Sequence, residues 1–383
     1  MKIAFFTSSR ADYGKIKPVI SEAKNKKIKF TIFVTGSHLL KEYGFTLYQI
    51  KKDFDKSSII TFSNQKFGDK HQVVFKNTVN NFTRVLKNKF FNCFFIHGDR
   101  IETLAAASVL TFSKIKIAHI EGGELSGTVD EMIRHSVTKL SHIHLVTNLT
   151  AKKVLINSGE DKAKIFVTGS PDIDILLKKT RPTIKQVKMR YGINYRNYAI
   201  SFLHPVTTKT KDEIKKNANI YFEALSKLSH INFIQFLPNS DDNSIQILKI
   251  LKKKLSEKKH IKIFKSMRFE HYLTLLENAD FIIGNSSSAI MEAPYFKVPS
   301  INVGDRQNNR FGLNKVININ FVNKDIVQAI KKVKKLKVHA KKIFGAGNSA
   351  KKIIKIIKSV NFHNLELQKT YKNLSNIRLS QKY

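Results

Sequence analysis

The chain has 383 residues, 42% of them hydrophobic and 25% charged, and a net charge of +39. That length exceeds what one core usually organises, and the apolar content excludes a disordered or fibrous chain. No apolar run approaches the roughly 18 residues needed to span a bilayer, and the apolar part of the opening MKIAFFTSSRADYG is too short for a signal peptide, so a cytoplasmic enzyme without a membrane partner is expected.

In chain order, strands are predicted over residues 3–7, 30–35, 93–97, 115–120, 144–147 and 165–168. Helices fall between them at 16–24, 102–112, 129–140 and 151–158, with a further one at 71–86 covering the sheet. Strands spaced by helices imply a parallel, doubly wound α/β sheet. After GSPDIDIL the pattern loosens into KKTRPTIKQVKMRYGINYRN, where Pro182 and a charged run mark the candidate linker. A second alternation follows, with strands over 198–203, 232–237, 261–264, 281–283, 300–303 and 316–319 and helices over 212–228, 241–256, 269–278 and 289–296. The Lys-rich stretch from Asp325 onward is expected to be helical and to pack back across both halves. The expected division is an N-terminal Rossmann-like catalytic domain (1–178), a C-terminal Rossmann-like nucleotide-binding domain (179–364) and a helical tail (365–383), with the active site in the cleft between the two domains.

The single Cys93 sits inside the apolar run FFNCFFI. It has no partner for an intrachain disulfide and is expected in the core. A metal site would need more cysteines or clustered histidines, so no metal is expected. The positive charge is mostly lysine spread through helices and loops. With no recognition helix, zinc-finger spacing or stacking-aromatic motif, a nucleic-acid partner is not expected. The field would still draw in anionic substrates.

The residues best placed for chemistry lie in HGDRIETLAAASVLTFSKIKIAHIEGGELSGTVDEMIRH, residues 97–135. Asp99 follows one apolar run, Glu121 follows the next, and Asp130 opens the helix carrying Arg134. Parallel sheets place ligands beyond the carboxyl ends of their strands, so the three acids are expected to converge on one pocket. Gathering like charges there is unfavourable unless at least one holds a proton, which creates an acid/base set. Arg100, Arg134 and His135 are expected to offset the remainder.

In the second half, FIIGNSSSAIMEAP is a strand, a small-residue turn and a helix start. Its free backbone N–H groups and the hydroxyls of Ser286, Ser287 and Ser288 are expected to seat a diphosphate. Glu292, a turn further on, would accept hydrogen bonds from ribose hydroxyls. His204 ends the first strand of this half, as a phosphate donor or proton carrier. Arg306 in NVGDRQNNR and Arg10 in SSRADYG are placed to clamp phosphate from opposite walls.

These segments also carry a family resemblance. In TSSRADYGKIKP, HGDRIETLAAA, HIEGGELSGTVDEMIRHSVTKLSHIH, GSPDIDIL, LHPVTT, SMRFEHYLTLLENADFIIGNSS and GDRQNNR the chain resembles the hydrolysing UDP-N-acetylglucosamine 2-epimerases of bacterial sialic acid synthesis. The resemblance runs from the first strand to about residue 310. It implies a GT-B-like fold, a UDP-sugar substrate, a homodimer or homotetramer, and no cofactor, because nothing is oxidised. It further implies acid/base roles for Asp99, Glu121 and Asp130 with Arg134 beside them, and a diphosphate-side role for His204. Ser286 and Ser287 match the phosphate-binding serines, Glu292 the ribose contact, Arg306 a nucleotide-side arginine and Arg10 the first-loop arginine. Two positions depart from the pattern: Met291 stands where relatives commonly carry arginine, and GDRQ replaces GTRQ. The expected reaction turns UDP-N-acetylglucosamine and water into UDP and N-acetylmannosamine through a 2-acetamidoglucal. The alternatives are the same chemistry on a UDP- or GDP-2,4-diacetamido-2,4,6-trideoxyhexose for legionaminic acid, or a GT-B glycosyltransferase.

Overall fold

The computed structural model describes residues 1–370 apart from 179, 313–315, 334, 337 and 339–341. The first sheet comprises β1 (Lys2–Thr7), β2 (Lys29–Val34), β3 (Ile59–Thr61), β4 (Cys93–His97), β5 (Ile117–Ile120), β6 (Ile143–Val146) and β7 (Ile165–Val167). Its strand order is β3-β2-β1-β4-β5-β6-β7. The second comprises β8 (Ala199–Phe202), β9 (Phe233–Phe236), β10 (Ile261–Phe264), β11 (Phe281–Gly284), β12 (Ser300–Val303) and β13 (Ile317–Ile319), in the order β10-β9-β8-β11-β12-β13. All pairings are parallel. Each sheet winds outward from its first strand in both directions, which is the doubly wound Rossmann-like order. The expected α/β class with two GT-B-like lobes is what the chain forms.

Helices cover both faces, so the central strands carry apolar residues at successive positions. Ile3, Ala4, Phe5 and Phe6 are all buried, and Cys93 lies with Ile3, Phe5 and Phe95 in the core on one face of the sheet, while Ala4, Phe6 and Phe94 fill the core on the other. Phe5 stacks on Phe95, and Phe202 on Phe236, each pair with centroids 4.8 Å apart. Among the described residues no helix is long and apolar enough to cross a membrane.

Four local departures from the sequence expectations have identifiable causes. The first helix starts at Arg10 rather than 16, because Ser9 caps it by accepting from the Asp12 N–H, and its first turn is polar. β3, a three-residue edge strand, is too short to show periodicity. The candidate linker holds a helix, Ile184–Tyr191, started by a Thr183/Gln186 capping box and stopped by Gly192 in the left-handed region. Only Val187 of that helix is buried, so it has no apolar stripe to read. The helix expected at 289–296 divides into one α-turn, Ser288–Met291, and a 3₁₀ turn, Ala293–Phe296. Pro294 has no N–H with which to continue the α pattern.

Near the end of the chain, helix Asn323–Val333 buries Ile326, Ala329, Ile330 and Val333 in the second core. Helix Ser349–Ser359 instead buries Ala350, Ile353, Ile354 and Ile357 in the first core. Asp174 fixes its start by accepting from the N–H groups of Ser349 (2.8 Å) and Ala350 (2.7 Å). Of the tail expected at 365–383, residues 371–383 lie outside the described residues.

Gly284 ends β11 with φ +130, and a Cβ there would stand 1.7 Å from the Phe202 carbonyl oxygen. Only glycine lets β11 come this close to β8 before the serine turn. Gly284→Ala is expected to destabilise the protein by roughly 2 kcal/mol or more, measured as the shift in urea midpoint.

Candidate active site

The two switch points, β1/β4 and β8/β11, face one another, and the loops leaving these strands open into a single cleft of about 410 Å³. That is within the range of pockets that enclose a small organic ligand. Most of the residues expected at the site line this cleft: Arg10, Asp99, Arg100, Glu121, Asp130, Arg134, His204, Ser286, Ser287, Ser288, Glu292 and Arg306. His135 does not. It points outward, with Nε2 3.8 Å from Glu131, so it offsets none of the acids.

The three acids have unlike electrostatic surroundings. Glu121 follows β5 at φ +64, a left-handed conformation unusual for a residue with a side chain. Its carboxylate accepts from the Ser170 hydroxyl and from Lys15 Nζ at 3.1 Å, and lies 3.2 Å from His97 Nε2. Burial alone would raise its pKa, but Lys15 and His97 outweigh that and hold it below the usual carboxylate range. Asp99, reached through Gly98 at φ +69, pairs with the buried Arg134 guanidinium. Burial again works upward, and Arg134 brings the net shift down.

Asp130 goes the other way. Thr128 caps the helix Val129–Leu140 and Asp130 sits in its first turn. Burial first, then the nearby charges of Asp99 and Asp241, push its carboxyl up to about 6, while Arg306 at 3.7 Å partly offsets them. One member of the trio therefore holds its proton to higher pH than the other two, as their crowding requires.

On the facing wall, Asn285 staples the two strand ends together. Its side chain accepts from the His204 N–H and donates to the His204 carbonyl, both at 2.8 Å. His204 Nδ1 accepts from the Asn239 N–H at 3.1 Å, which leaves the ring proton on Nε2. Burial and Arg306 push the imidazole down to about 3, so it is neutral at physiological pH and presents an N–H donor at Nε2. The Ser286 hydroxyl accepts from the Ser288 N–H. Glu292 is buried, and burial together with Asp172 pushes its carboxyl up to about 8, so at neutral pH it carries a proton and can donate as well as accept. Arg306 lies within 4 Å of both Asp130 and Asp241, and Arg10 donates across the cleft to the Ser266 hydroxyl.

Sequence reasoning missed a further group of cleft residues: Asp12, Lys15, His97, Glu124, Asp172, Asp241 and Arg310. Lys15 bridges Glu121 to Asp172, at 3.1 and 2.7 Å. Burial would lower the His97 pKa, but Asp12 and Glu121 on either side raise it to about 9. Placing the first helix start at Ser9 would have put Asp12 and Lys15 one turn apart on a face beside the first strand end. His97 was legible as the last residue of the strand that delivers Asp99. Among the described residues no three His, Cys, Asp or Glu side chains are grouped to hold a metal ion.

Two doubly wound lobes with a polar cleft between their switch points define a GT-B-like architecture. The same arrangement recurs in a crystal structure of a UDP-N-acetylglucosamine 2-epimerase from Methanocaldococcus jannaschii in complex with UDP-N-acetylglucosamine and UDP. That structure matches at TM-score 0.80 and 22% identity, over 94% of this chain and 100% of that one. Over residues 21–358 the sequence matches the family model of the UDP-N-acetylglucosamine 2-epimerases. It is 40% identical to a UDP-N-acetylglucosamine 2-epimerase of Neisseria meningitidis serogroup B, over 98% of this chain and 99% of the relative. It is 31% identical to a UDP-N,N'-diacetylbacillosamine 2-epimerase (hydrolyzing) of Legionella pneumophila, over 96% and 98%. The chain belongs to the UDP-N-acetylglucosamine 2-epimerase family.

Proposed function

We propose that this protein is a hydrolysing 2-epimerase that converts UDP-N-acetylglucosamine and water to UDP and N-acetylmannosamine, a precursor for nonulosonic acid synthesis. The observation that carries the reading is the convergence of three carboxylates with unlike proton affinities in the cleft of a fold whose relatives are 2-epimerases. The C2 hydrogen of an N-acetylhexosamine is not beside a carbonyl, so a carboxylate cannot simply remove it. When the C1–O bond breaks, its electron pair leaves with the diphosphate, and C1 gains oxocarbenium character. The C2 proton then passes to a carboxylate, and the C2–H electrons form the C1=C2 bond of 2-acetamidoglucal. Water adds its oxygen at C1 and gives up a proton to a carboxylate, and a proton returns to C2 on the opposite face.

Removal on one face and delivery on the other need two proton-transfer groups. Asp130, with its pKa near working pH, is the better base of the trio. Asp99 and Glu121, held ionised by Arg134, Lys15 and His97, stabilise the cationic C1 and orient water, and His97, raised to about 9 and so protonated at neutral pH, is the cleft group with a proton to return to C2. His204, the Ser286–Ser287 turn, Arg10 and Arg306 hold the nucleotide diphosphate, and Glu292 meets the ribose. In this reading residues 1–178 supply the chemistry and 179–364 the nucleotide seat, in a cytoplasmic homo-oligomer.

A second substrate has a specific observation in its favour. Relatives at 31% identity in Legionella and Campylobacter are named for N,N'-diacetylbacillosamine nucleotides. Incubation with each nucleotide sugar in D₂O, followed by proton NMR, separates these readings. The expected result is free UDP and N-acetylmannosamine carrying deuterium at C2. Release of UDP-N-acetylmannosamine instead of the free sugar would refute the hydrolysing mode, and turnover of the diacetamido substrate alone would refute the substrate.

A further inference from the structure

Arg100, Arg134 and Arg306 each have a carboxylate oxygen within 4 Å in the cleft. Among the described residues Arg10 and Arg310, which line the same cleft, have none, but Arg10 donates to the Ser266 hydroxyl. Arg310 Nη1 lies 3.7 Å from the Met291 sulfur, and its buried Nε has no hydrogen-bond partner among the described residues. Burial, followed by repulsion from Arg134, lowers its pKa, against the pull of Glu124 and Asp99, with Arg306 adding to the repulsion. A desolvated guanidinium crowded by two others is unfavourable until an anion arrives to take its donors.

The position says which part of an anion that would be. On one side Arg310 feels Asp99 and Arg134, at the sugar end of the cleft. On the other it rests on Met291, in the turn that follows Ser286 and Ser287. Between the reacting sugar and the phosphate-holding serines lies the sugar-side phosphate. Met291, where relatives commonly carry arginine, gives Arg310 a soft apolar support that does not compete for its N–H groups.

We propose that Arg310 is a substrate-binding residue that takes the sugar-side phosphate of the nucleotide diphosphate and holds it as the C1–O bond breaks. This rests on the hydrolysing reading above. The electron pair of the breaking bond settles on an oxygen of that phosphate, and the guanidinium meets the new charge with its paired N–H donors.

The test compares UDP with UMP, which lacks that phosphate, by titration calorimetry on the whole chain, with turnover of UDP-N-acetylglucosamine measured alongside. Arg310→Gln is expected to weaken UDP binding roughly 10- to 100-fold, to leave UMP binding unchanged, and to lower kcat. Because it removes an unpaired cation, this variant is also expected to melt no lower than the wild type. Arg310→Lys keeps the charge without the fork and should retain part of the UDP preference, which covers the case where the glutamine variant misfolds. UDP affinity unchanged in both variants, or UDP and UMP affinity lost in parallel, overturns the proposal. A wild type that prefers UDP over UMP through Arg310 but turns over neither candidate substrate refutes the reaction and leaves the phosphate contact standing. A wild type that binds no UDP refutes both.

Discussion

Glu121→Gln is expected to lose both stability and turnover. The carboxylate sits between Lys15, Ser170 and His97, all of them largely buried. An amide of the same size cannot balance two cations, so Lys15 keeps only Asp172 and His97 only Asp12. Breaking a buried ion pair from one side costs about 3–5 kcal/mol. The effect has a pH signature whose sign follows from the lowered pKa. Stability contributed by Glu121 is complete above its ordinary value of 4.5 and is lost as pH falls toward the native-state value. The melting-temperature gap between wild type and variant should therefore be widest near neutrality and close in acid. Turnover should fall by about 10² to 10⁴. A variant that melts like the wild type at pH 7 and turns over normally would refute the account of this site.

Asp130→Asn is expected to separate activity from stability. Its carboxyl is raised to about 6 by burial, Asp99 and Asp241. A group whose folded pKa lies above its unfolded 3.8 favours the fold while protonated, and that contribution is lost as pH rises through about 6. At pH 7 to 8 the ionised side chain therefore costs the native state on the order of 2 kcal/mol, which the neutral amide removes. The variant should melt above the wild type at pH 8 and like it below pH 4, while turnover drops by about 10² to 10⁴ and UDP still binds. In the wild type kcat/KM should fall as pH is lowered through about 6. Asp99→Asn should move that limb to lower pH, since it removes a neighbouring negative charge and frees Arg134. A limb that stays in place would show that Asp130 is not the titrating group. Stability gained with activity lost is the pattern of a site that holds like charges together for use.

Much of this was legible in the sequence, for reasons that differ by element. Strands such as Cys93–His97 and Ser300–Val303 are short runs of apolar residues bounded by breaks, and a doubly wound sheet then places every following loop on one edge. That rule alone brought Asp99, Glu121 and His204 to the cleft. His135 failed because membership of a helix does not say which side chains face the cleft; Glu131 draws it outward. The helix in the candidate linker escaped because capping, rather than an amphipathic stripe, defines it.

Lys15, His97 and Arg310 were not nominated because their importance lies in what stands beside them. Lys15 matters through Glu121 and Asp172, which are more than a hundred residues away in the chain. Residue type and strand-end position, both local properties, were enough to fix the alternation of elements, the class of fold and the trio of acids. Which acid of the trio holds its proton to the highest pH, that His204 is neutral, and that Arg310 has no carboxylate partner among the described residues depend on burial and on charges brought together from both lobes. Electrostatic energy is set by distance through space, and only the folded chain defines those distances.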